Sequence, residues 1–109
     1  MLGLWTVEFG GSEGRFGSGV MVFDQGRLWG GDSGYYYSGT YSCSNDTDFS
    51  IVFEATSFVD GVESIFRTLD RDPTLNLVGS MVDPTHATAQ GCPVGMSNLR
   101  LGVKLTKRA

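Results

Sequence analysis

A block of glycines and tyrosines, Gly30 to Gly39, most constrains what this chain can fold into. It reads Gly-Gly-Asp-Ser-Gly-Tyr-Tyr-Tyr-Ser-Gly. Glycine adopts backbone conformations that other residues avoid, and aspartate bonds its own backbone in turns. Tyrosine favours a pleated, half-buried strand. The block therefore predicts a tight turn that leads directly into a strand, in a protein built from strands.

Alternation of apolar and polar residues extends this prediction along most of the chain. Every second residue is apolar from Trp5 to Phe9 and again from Leu99 to Leu105, which is the period of a half-buried strand. Further strands are predicted at Val20–Asp24, Arg27–Trp29, Tyr35–Cys43, Phe49–Phe58, Leu75–Val82 and Thr85–Ala89. About eight short strands with short links are typical of a barrel or sandwich. We predict one all-β domain over residues 1–109, an antiparallel β-barrel of about eight strands.

Turn residues separate the predicted strands. Asp24-Gln25-Gly26 is a hairpin-type turn, and Asn45-Asp46 and Asp83-Pro84 mark two further turns. These short links favour strands that pair with their neighbours in sequence.

Three segments depart from the alternation. Within 58–73 apolar residues recur at helical spacing, and Asp60 with Glu63 matches a capping box, which predicts a short helix or a folded-in loop. We expect a loop over Gly91–Met96. The glycine-rich stretch Gly10–Gly19 predicts a mobile hairpin loop, able to cover the mouth of a barrel.

The net charge and the cysteine content limit the classes of partner and the cellular compartment that can be expected. The net charge is −4 and the isoelectric point about 4.7, which argues against nucleic acid as the main partner. The first residues lack the basic start of a signal peptide, and no apolar run is long enough to span a membrane. Two cysteines, Cys43 and Cys92, make no disulfide framework. We expect a cytoplasmic protein with free thiols that acts neither at a membrane nor on nucleic acid.

The sequence offers no catalytic or metal-binding constellation. Gly31-Asp32-Ser33-Gly34 matches the nucleophile motif of chymotrypsin-like proteases, but their chemistry needs a histidine that precedes the serine. The single histidine here, His86, follows Ser33, and no second metal ligand stands at a suitable spacing. We predict that the protein is not an enzyme and holds no cofactor.

An eight-stranded barrel is just wide enough to be filled by its own side chains or to hold one small ligand. The many aromatic residues suit either arrangement. The predicted lining residues are Trp5, Val7, Val22, Tyr37, Phe53 and Leu101. A filled interior makes the barrel a scaffold, and an open one makes it a binding site for a small apolar ligand.

Three short motifs resemble the GrlR-like family. They are Leu4-Trp5-Thr6-Val7, then Gly17-Ser18-Gly19-Val20, and last the spacing that joins Gly30, Gly31 and Asp32 to Tyr37 and Gly39. The family is named for a negative regulator of type III secretion in enteric pathogens. The resemblance implies a small lipocalin-like β-barrel that forms a dimer, with Gly30, Gly31, Asp32, Tyr37 and Gly39 as the family motif.

The resemblance also implies a partner. The family's named member sequesters a transcriptional activator through an acidic run just after the Tyr-x-Gly strand. The matching place here is the turn that contains Asn45, Asp46 and Asp48, so these are the predicted partner-binding residues. A barrel that closes imperfectly would leave strand edges for a homodimer to cover, with Tyr35–Tyr37 filling the interface. The leading hypothesis is regulation by protein–protein binding, and the alternative is a small apolar ligand inside the barrel.

Overall fold

The computed structural model describes residues 1–11, 14, 16–59 and 72–109. It contains eight strands in chain order. Their bounds are β1 Gly3–Gly11, β2 Phe16–Asp24, β3 Arg27–Gly31, β4 Tyr35–Cys43, β5 Asp48–Ser57, β6 Thr74–Asp83, β7 His86–Pro93 and β8 Leu101–Lys107. The described residues contain no helix, and so they contain no helix that could cross a membrane.

Each strand pairs antiparallel with the next, and β8 pairs with β1 to close a barrel. The closing register runs from Trp5 opposite Lys107 to Gly11 opposite Leu101. The predicted all-β, eight-stranded antiparallel barrel is therefore confirmed. Because the barrel is closed, it has no strand edge to protect. The argument for a homodimer from uncovered strand edges applied to a barrel that closes imperfectly, and it does not apply to this closed barrel.

Because side chains alternate along a strand, every second residue of each strand points into the barrel. Trp5, Val7 and Phe9 point inward on β1, as predicted, and so do Leu101, Val103 and Leu105 on β8. Among the described residues, the hydrophobic core cluster contains Trp5, Val7, Phe9, Met21, Phe23, Leu28, Tyr37, Phe49, Ile51, Phe53, Ala55, Leu75, Leu77, Ala87, Ala89, Leu99, Leu101, Val103 and Leu105.

The prediction that Val22 lines the interior is wrong. It lies on the outer face of β2, 38% exposed, whereas its neighbours Met21 and Phe23 are buried. The cause is the pleat, because adjacent residues of a strand point to opposite faces. Residues Val20 to Phe23 form an unbroken apolar run, so the sequence itself carried no sign of which phase would face inward.

The tight turns lie where the sequence predicts them. Gln25 and Gly26, between β2 and β3, have φ values of 48° and 85°. Two positive φ angles in a two-residue loop match the twist of a hairpin, and glycine adopts such an angle without strain. The Asp83–Pro84 turn joins β6 to β7, and the Oδ1 atom of Asp83 accepts the Thr85 amide at 2.9 Å.

Two predicted loops are partly strand. Gly91 to Pro93 continue β7, with Gly91 opposite both Leu77 and Leu101. Likewise Gly10 and Gly11 belong to β1, and Phe16–Gly19 belong to β2, so these parts of the predicted hairpin loop Gly10–Gly19 are strand. Glycine and proline marked these segments as breaks, but pairing with a neighbouring strand keeps them extended. The short helix or folded-in loop was predicted within 58–73, and residues 60–71 of that segment lie outside the described residues.

Up-and-down strand order gives the barrel two different ends. The links β2–β3, β4–β5 and β6–β7 share one end, here named the turn end. The links β1–β2, β3–β4, β5–β6 and β7–β8 share the opposite end, here named the loop end. The family-motif aspartate, Asp32, lies at the loop end, whereas the predicted partner-binding residues Asn45, Asp46 and Asp48 lie at the turn end.

Gly39 allows β4 and β5 to approach closely, and its replacement tests this packing. A Cβ atom at Gly39 would lie 2.6 Å from the Cα atom of Phe53 and nearer still to the carbonyl oxygen of Val52. We expect Gly39→Ala to lower the free energy of unfolding by about 3 kcal/mol in chemical denaturation. Gly102→Ala is the control, because its Cβ atom would meet no heavy atom closer than 3.9 Å. The control should be neutral or stabilising by up to about 1 kcal/mol. Equal stabilities of the two variants would contradict the prediction.

Candidate functional site

The middle of the barrel is filled by its own side chains. Trp5, Phe23 and Phe53 are each 1% exposed, and Met21 and Leu28 are fully buried. A side chain that faced a void large enough for water would keep accessible surface, and these side chains keep almost none. Large aromatic side chains from several strands therefore occupy the space that a ligand at this level would need.

The interior aromatic rings contact one another edge to face. The Phe23 ring centroid lies 6.3 Å from that of Trp5 and 5.1 Å from that of Tyr41. Nearer the loop end, the Tyr37 centroid lies 6.0 Å from that of Phe9 and 5.4 Å from that of Phe53. Edge-to-face pairs at these separations are favourable beyond simple burial. The structure thus places Trp5, Val7, Tyr37, Phe53 and Leu101 of the predicted lining set inside the barrel.

Asp32 organises the loop end between β3 and β4. Its Oδ1 atom accepts the backbone N–H groups of Gly34 and Tyr35, both at 2.9 Å. Its Oδ2 atom accepts the hydroxyl of Tyr37. One carboxylate therefore closes the turn and anchors a buried tyrosine of the next strand, an arrangement we call the Asp32–Tyr37 clamp.

The glycines of the same motif serve close strand contacts. A Cβ atom at Gly30 would lie 2.9 Å from the Cα atom of Met21, and one at Gly31 would lie 2.8 Å from the carbonyl oxygen of Tyr35. Real side chains do not tolerate such distances from backbone atoms. In this chain, the motif residues Gly30, Gly31, Asp32, Tyr37 and Gly39 all have structural roles.

The clamp changes the acidity of Tyr37. Burial first, and then the hydrogen bond to Asp32 and the charge of that carboxylate, raise the pKa of Tyr37 far above its ordinary value. Burial also raises the pKa of Tyr35, with smaller contributions from Asp72 and Asp32. Both tyrosines therefore stay neutral over the physiological range, and Tyr37 serves as a hydrogen-bond donor.

The predicted partner-binding residues form the β4–β5 turn. The Oδ1 atom of Asn45 accepts the backbone N–H groups of Thr47 and Asp48, both at 2.8 Å. The Nδ2 group of Asn45 donates to Asp48 Oδ2 at 3.1 Å, and the Ser80 hydroxyl donates to Asp48 Oδ1 at 2.8 Å. Asn45 and Asp48 are therefore brought together, while Asp46 lies exposed at the tip. The turn is ordered by its own polar side chains.

A groove of about 580 Å³ lies beside this turn and is lined by residues of the turn and of β5, β6 and β7. We call it the Val78 groove. It is lined by Ser44, Asp48, Phe49, Val78, Gly79, Ser80, Thr88, Ala89 and Gln90. Val78 is 57% exposed within it. Of these residues only Asp48 was predicted from the sequence, because the register of three strands decides which of the others are neighbours.

A second outer surface covers β1 to β4. The register sets Leu4 opposite Val22 and Val22 opposite Trp29, and these side chains are 37%, 38% and 43% exposed. Val20 and Tyr36 lie beside this row, with exposures of 42% and 49%. We call these five residues the Trp29 face. The sequence did hold a sign of this face. At these positions the outward-pointing residues of the strands are large and apolar, whereas a face in contact with water would be polar.

Charged residues border the Trp29 face. The guanidinium of Arg27 lies 5.4 Å from the ring centroid of Trp29. On the β1 side, the Arg108 amide donates to the Leu4 carbonyl at 2.8 Å. On the β5 side, Glu54 pairs with Ser38, which in turn pairs with Trp29. An apolar centre with a charged rim is the usual anatomy of a protein interface.

The structure keeps Ser33 and His86 apart. Ser33 lies in the β3–β4 link at the loop end, and His86 begins β7 at the turn end. The Nδ1 atom of His86 lies 2.9 Å from Asp83 Oδ1, and both side chains are about half exposed. Among the described residues, no group of three histidine, cysteine, aspartate or glutamate side chains is placed to hold a metal ion.

Removal of the Tyr37 hydroxyl tests the clamp. We expect Tyr37→Phe to lower the free energy of unfolding by about 1–3 kcal/mol near neutral pH, since Asp32 loses a buried donor. The exposed Tyr36→Phe should change it by less than about 0.5 kcal/mol.

The same pair has an alkaline signature. Above about pH 10 an unfolded tyrosine releases its proton while buried Tyr37 keeps it, so the unfolded state binds fewer protons and stability falls as pH rises. The stability that Tyr37 contributes is therefore fully present below about pH 10. In denaturation across the alkaline range, Tyr37→Phe should show a shallower loss than the wild type. Parallel curves would contradict a raised pKa at this residue.

Comparison with known proteins shows the fold alone. No family model matches the chain, and no curated protein matches it. A solved structure described as a redesigned beta barrel is similar, with a TM-score of 0.72 at 14% sequence identity. The match covers 99% of this chain and 91% of that chain. The chain is thus similar in architecture, over nearly its whole length, to a designed barrel.

Proposed function

We propose that this protein is a non-enzymatic regulatory protein of the cytoplasm that acts by binding another protein. The observation that carries the proposal is the Trp29 face, which in this proposal holds a second copy of the chain and leaves the β4–β5 turn for the partner. A closed barrel with a filled centre leaves its outer surface for recognition. Contiguous exposed apolar residues on such a surface are typical of an interface. Trp29 beside Arg27 is the kind of residue pair that dominates binding energy at interfaces.

The filled centre favours protein binding over the alternative of a small apolar ligand. Such a ligand would have to displace Trp5, Phe23 or Phe53 from a close-packed interior, which is costly. The resemblance to the GrlR-like family supplies the class of partner, a transcriptional regulator that the protein sequesters. Asn45, Asp46 and Asp48 form the proposed partner-binding turn, because their acidic group is exposed and attracts a basic segment.

Self-association is the second part of the proposal, with the Trp29 face as its surface. A twofold axis through this face would reverse the row from Arg108 through Leu4 and Trp29 to Glu54. Arg108 of one copy would then approach Glu54 of the other. Of the tyrosines Tyr35–Tyr37 expected in a dimer interface, Tyr36 is the one available, since Tyr37 is buried and Tyr35 half-buried.

Trp29→Ser tests the dimer. Loss of a central tryptophan should weaken self-association by about 30-fold, measured by sedimentation velocity over a concentration series. Phe16→Ser is the control, because Phe16 is 82% exposed but lies outside the face. A wild-type chain that sediments as a monomer at every concentration would overturn this part of the proposal.

The double variant Asp46→Asn with Asp48→Asn tests the partner-binding turn. It should reduce capture of the partner from a lysate of the source cell, and the wild-type capture should weaken as salt screens the charges. Asp24→Asn with Asp72→Asn removes the same charge from exposed positions elsewhere and should leave capture unchanged. Equal capture by both double variants would exclude a role for the turn.

A further inference from the structure

The Val78 groove combines one fixed negative charge with an exposed apolar floor. Asp48 pairs with Ser80 across β5 and β6, and Val78 lies two residues before Ser80 on the same outer face. Diagonal neighbours of this kind have their Cα atoms about 7–8 Å apart, within reach of one long side chain. Thr88 and Gln90 on β7 form the opposite wall.

Asp48 is held ready as an anion. The hydrogen bond from Asn45, and after it that from Ser80, hold the pKa of this carboxyl below its usual value. Each carboxylate oxygen accepts one of these bonds, Oδ2 from Asn45 and Oδ1 from Ser80. A carboxylate oxygen has room for a second donor. The turn therefore fixes the direction of the carboxylate without using all of its acceptor capacity.

We propose that the Val78 groove binds one basic side chain of an extended partner segment. The apolar stem of a lysine would lie along Val78, and its ammonium group would donate to Asp48. Long basic side chains bury their methylene groups on apolar surface while the charged head stays in water. The inference rests on the proposed protein-binding function and extends it, because it names the residue type that the surface next to the turn recognises.

Charges around the groove agree with a cationic occupant. Asp46, next to the groove in the turn, is also exposed. The nearest base along the same row of outward residues is Lys104, which pairs with Thr88 and so lies three strands from Asp48. Three strand spacings of about 4.8 Å put the backbone of Lys104 about 14 Å from that of Asp48 along the barrel wall. Among the described residues of this row, the charge nearest the groove is therefore the carboxylate of Asp48, which favours a cation.

Binding of a small probe tests the groove directly. The probe is acetyl-Leu-Lys-Leu-amide, and its matched control carries an acetyl group on the lysine nitrogen and has no charge. Titration of nitrogen-15-labelled protein should move the amide resonances of Val78, Gly79 and Gln90 together. We expect the charged probe to bind about fivefold more tightly than the acetylated one at low salt. Equal affinities, or shifts confined to other surfaces, would overturn the proposal.

Variants assign the two parts of the contact. Asp48→Asn should remove the fivefold preference and leave the acetylated probe unaffected, as in a double-mutant cycle. Val78→Ser should weaken both probes by about threefold, because it removes apolar contact. Val94→Ser is the matched control, since Val94 is 61% exposed and lies beyond β7 at the loop end. If Asp48→Asn fails to fold, the two probes and the Val78→Ser variant still decide the question.

The test separates this inference from the proposed function. Probe binding is measured on the chain alone and does not depend on capture of a partner or on self-association. A protein that forms dimers and captures its partner, but leaves the groove resonances unmoved, overturns the groove alone. A protein whose groove binds the charged probe but which captures no partner overturns the proposed function and leaves the groove standing.

Discussion

Pairing of β1 with β8 is the constraint on which the rest of the structure depends. It gives every strand two neighbours, so no row of backbone N–H and C=O groups remains open along the barrel wall. Closure also fixes the size of the interior, because eight strands enclose a space that side chains can fill. Trp5 and Phe53 fill it from different strands.

The residues that carry the family resemblance have structural roles in the barrel wall. Gly30 and Gly39 lie where a side chain would meet the backbone of a neighbouring strand, and Asp32 ties a turn to buried Tyr37. Their presence is explained by barrel geometry and speaks to architecture. The recognition that we propose depends on other residues, those of the Trp29 face and the Val78 groove, whose identity the wall does not dictate.

Most of the fold could be predicted from the sequence because strand period and turn chemistry are local. The turn at Gln25–Gly26 and the strand Tyr35–Cys43 lie where they were predicted. Val22 and the segment Gly91–Pro93 could not be predicted from local pattern. Val22 belongs to an unbroken apolar run, in which nothing shows which residues point inward. The segment Gly91–Pro93 is extended because it pairs with β6 and, at Gly91, also with β8.

Less of the candidate site could be predicted, for a related reason. Asn45 and Asp48 carry their own signal as turn residues. The Val78 groove, however, joins outward side chains from β5, β6 and β7, and which of them are neighbours depends on register. Register is set by the whole sheet. The Trp29 face has the same origin, since Leu4 and Trp29 are far apart in sequence and meet across Val22.

The closing pair also sets a condition on how the chain is made. Each strand from β2 onward finds its partner in the segment just synthesised, whereas β1 waits for β8, with Thr6 opposite Thr106. If strands pair in the order in which they are made, β1 is an unpaired edge of an open sheet until β8 is available to join it. That edge is a template for pairing with other chains. The chain is therefore most prone to aggregation before β1 and β8 pair, and their pairing removes the open edge.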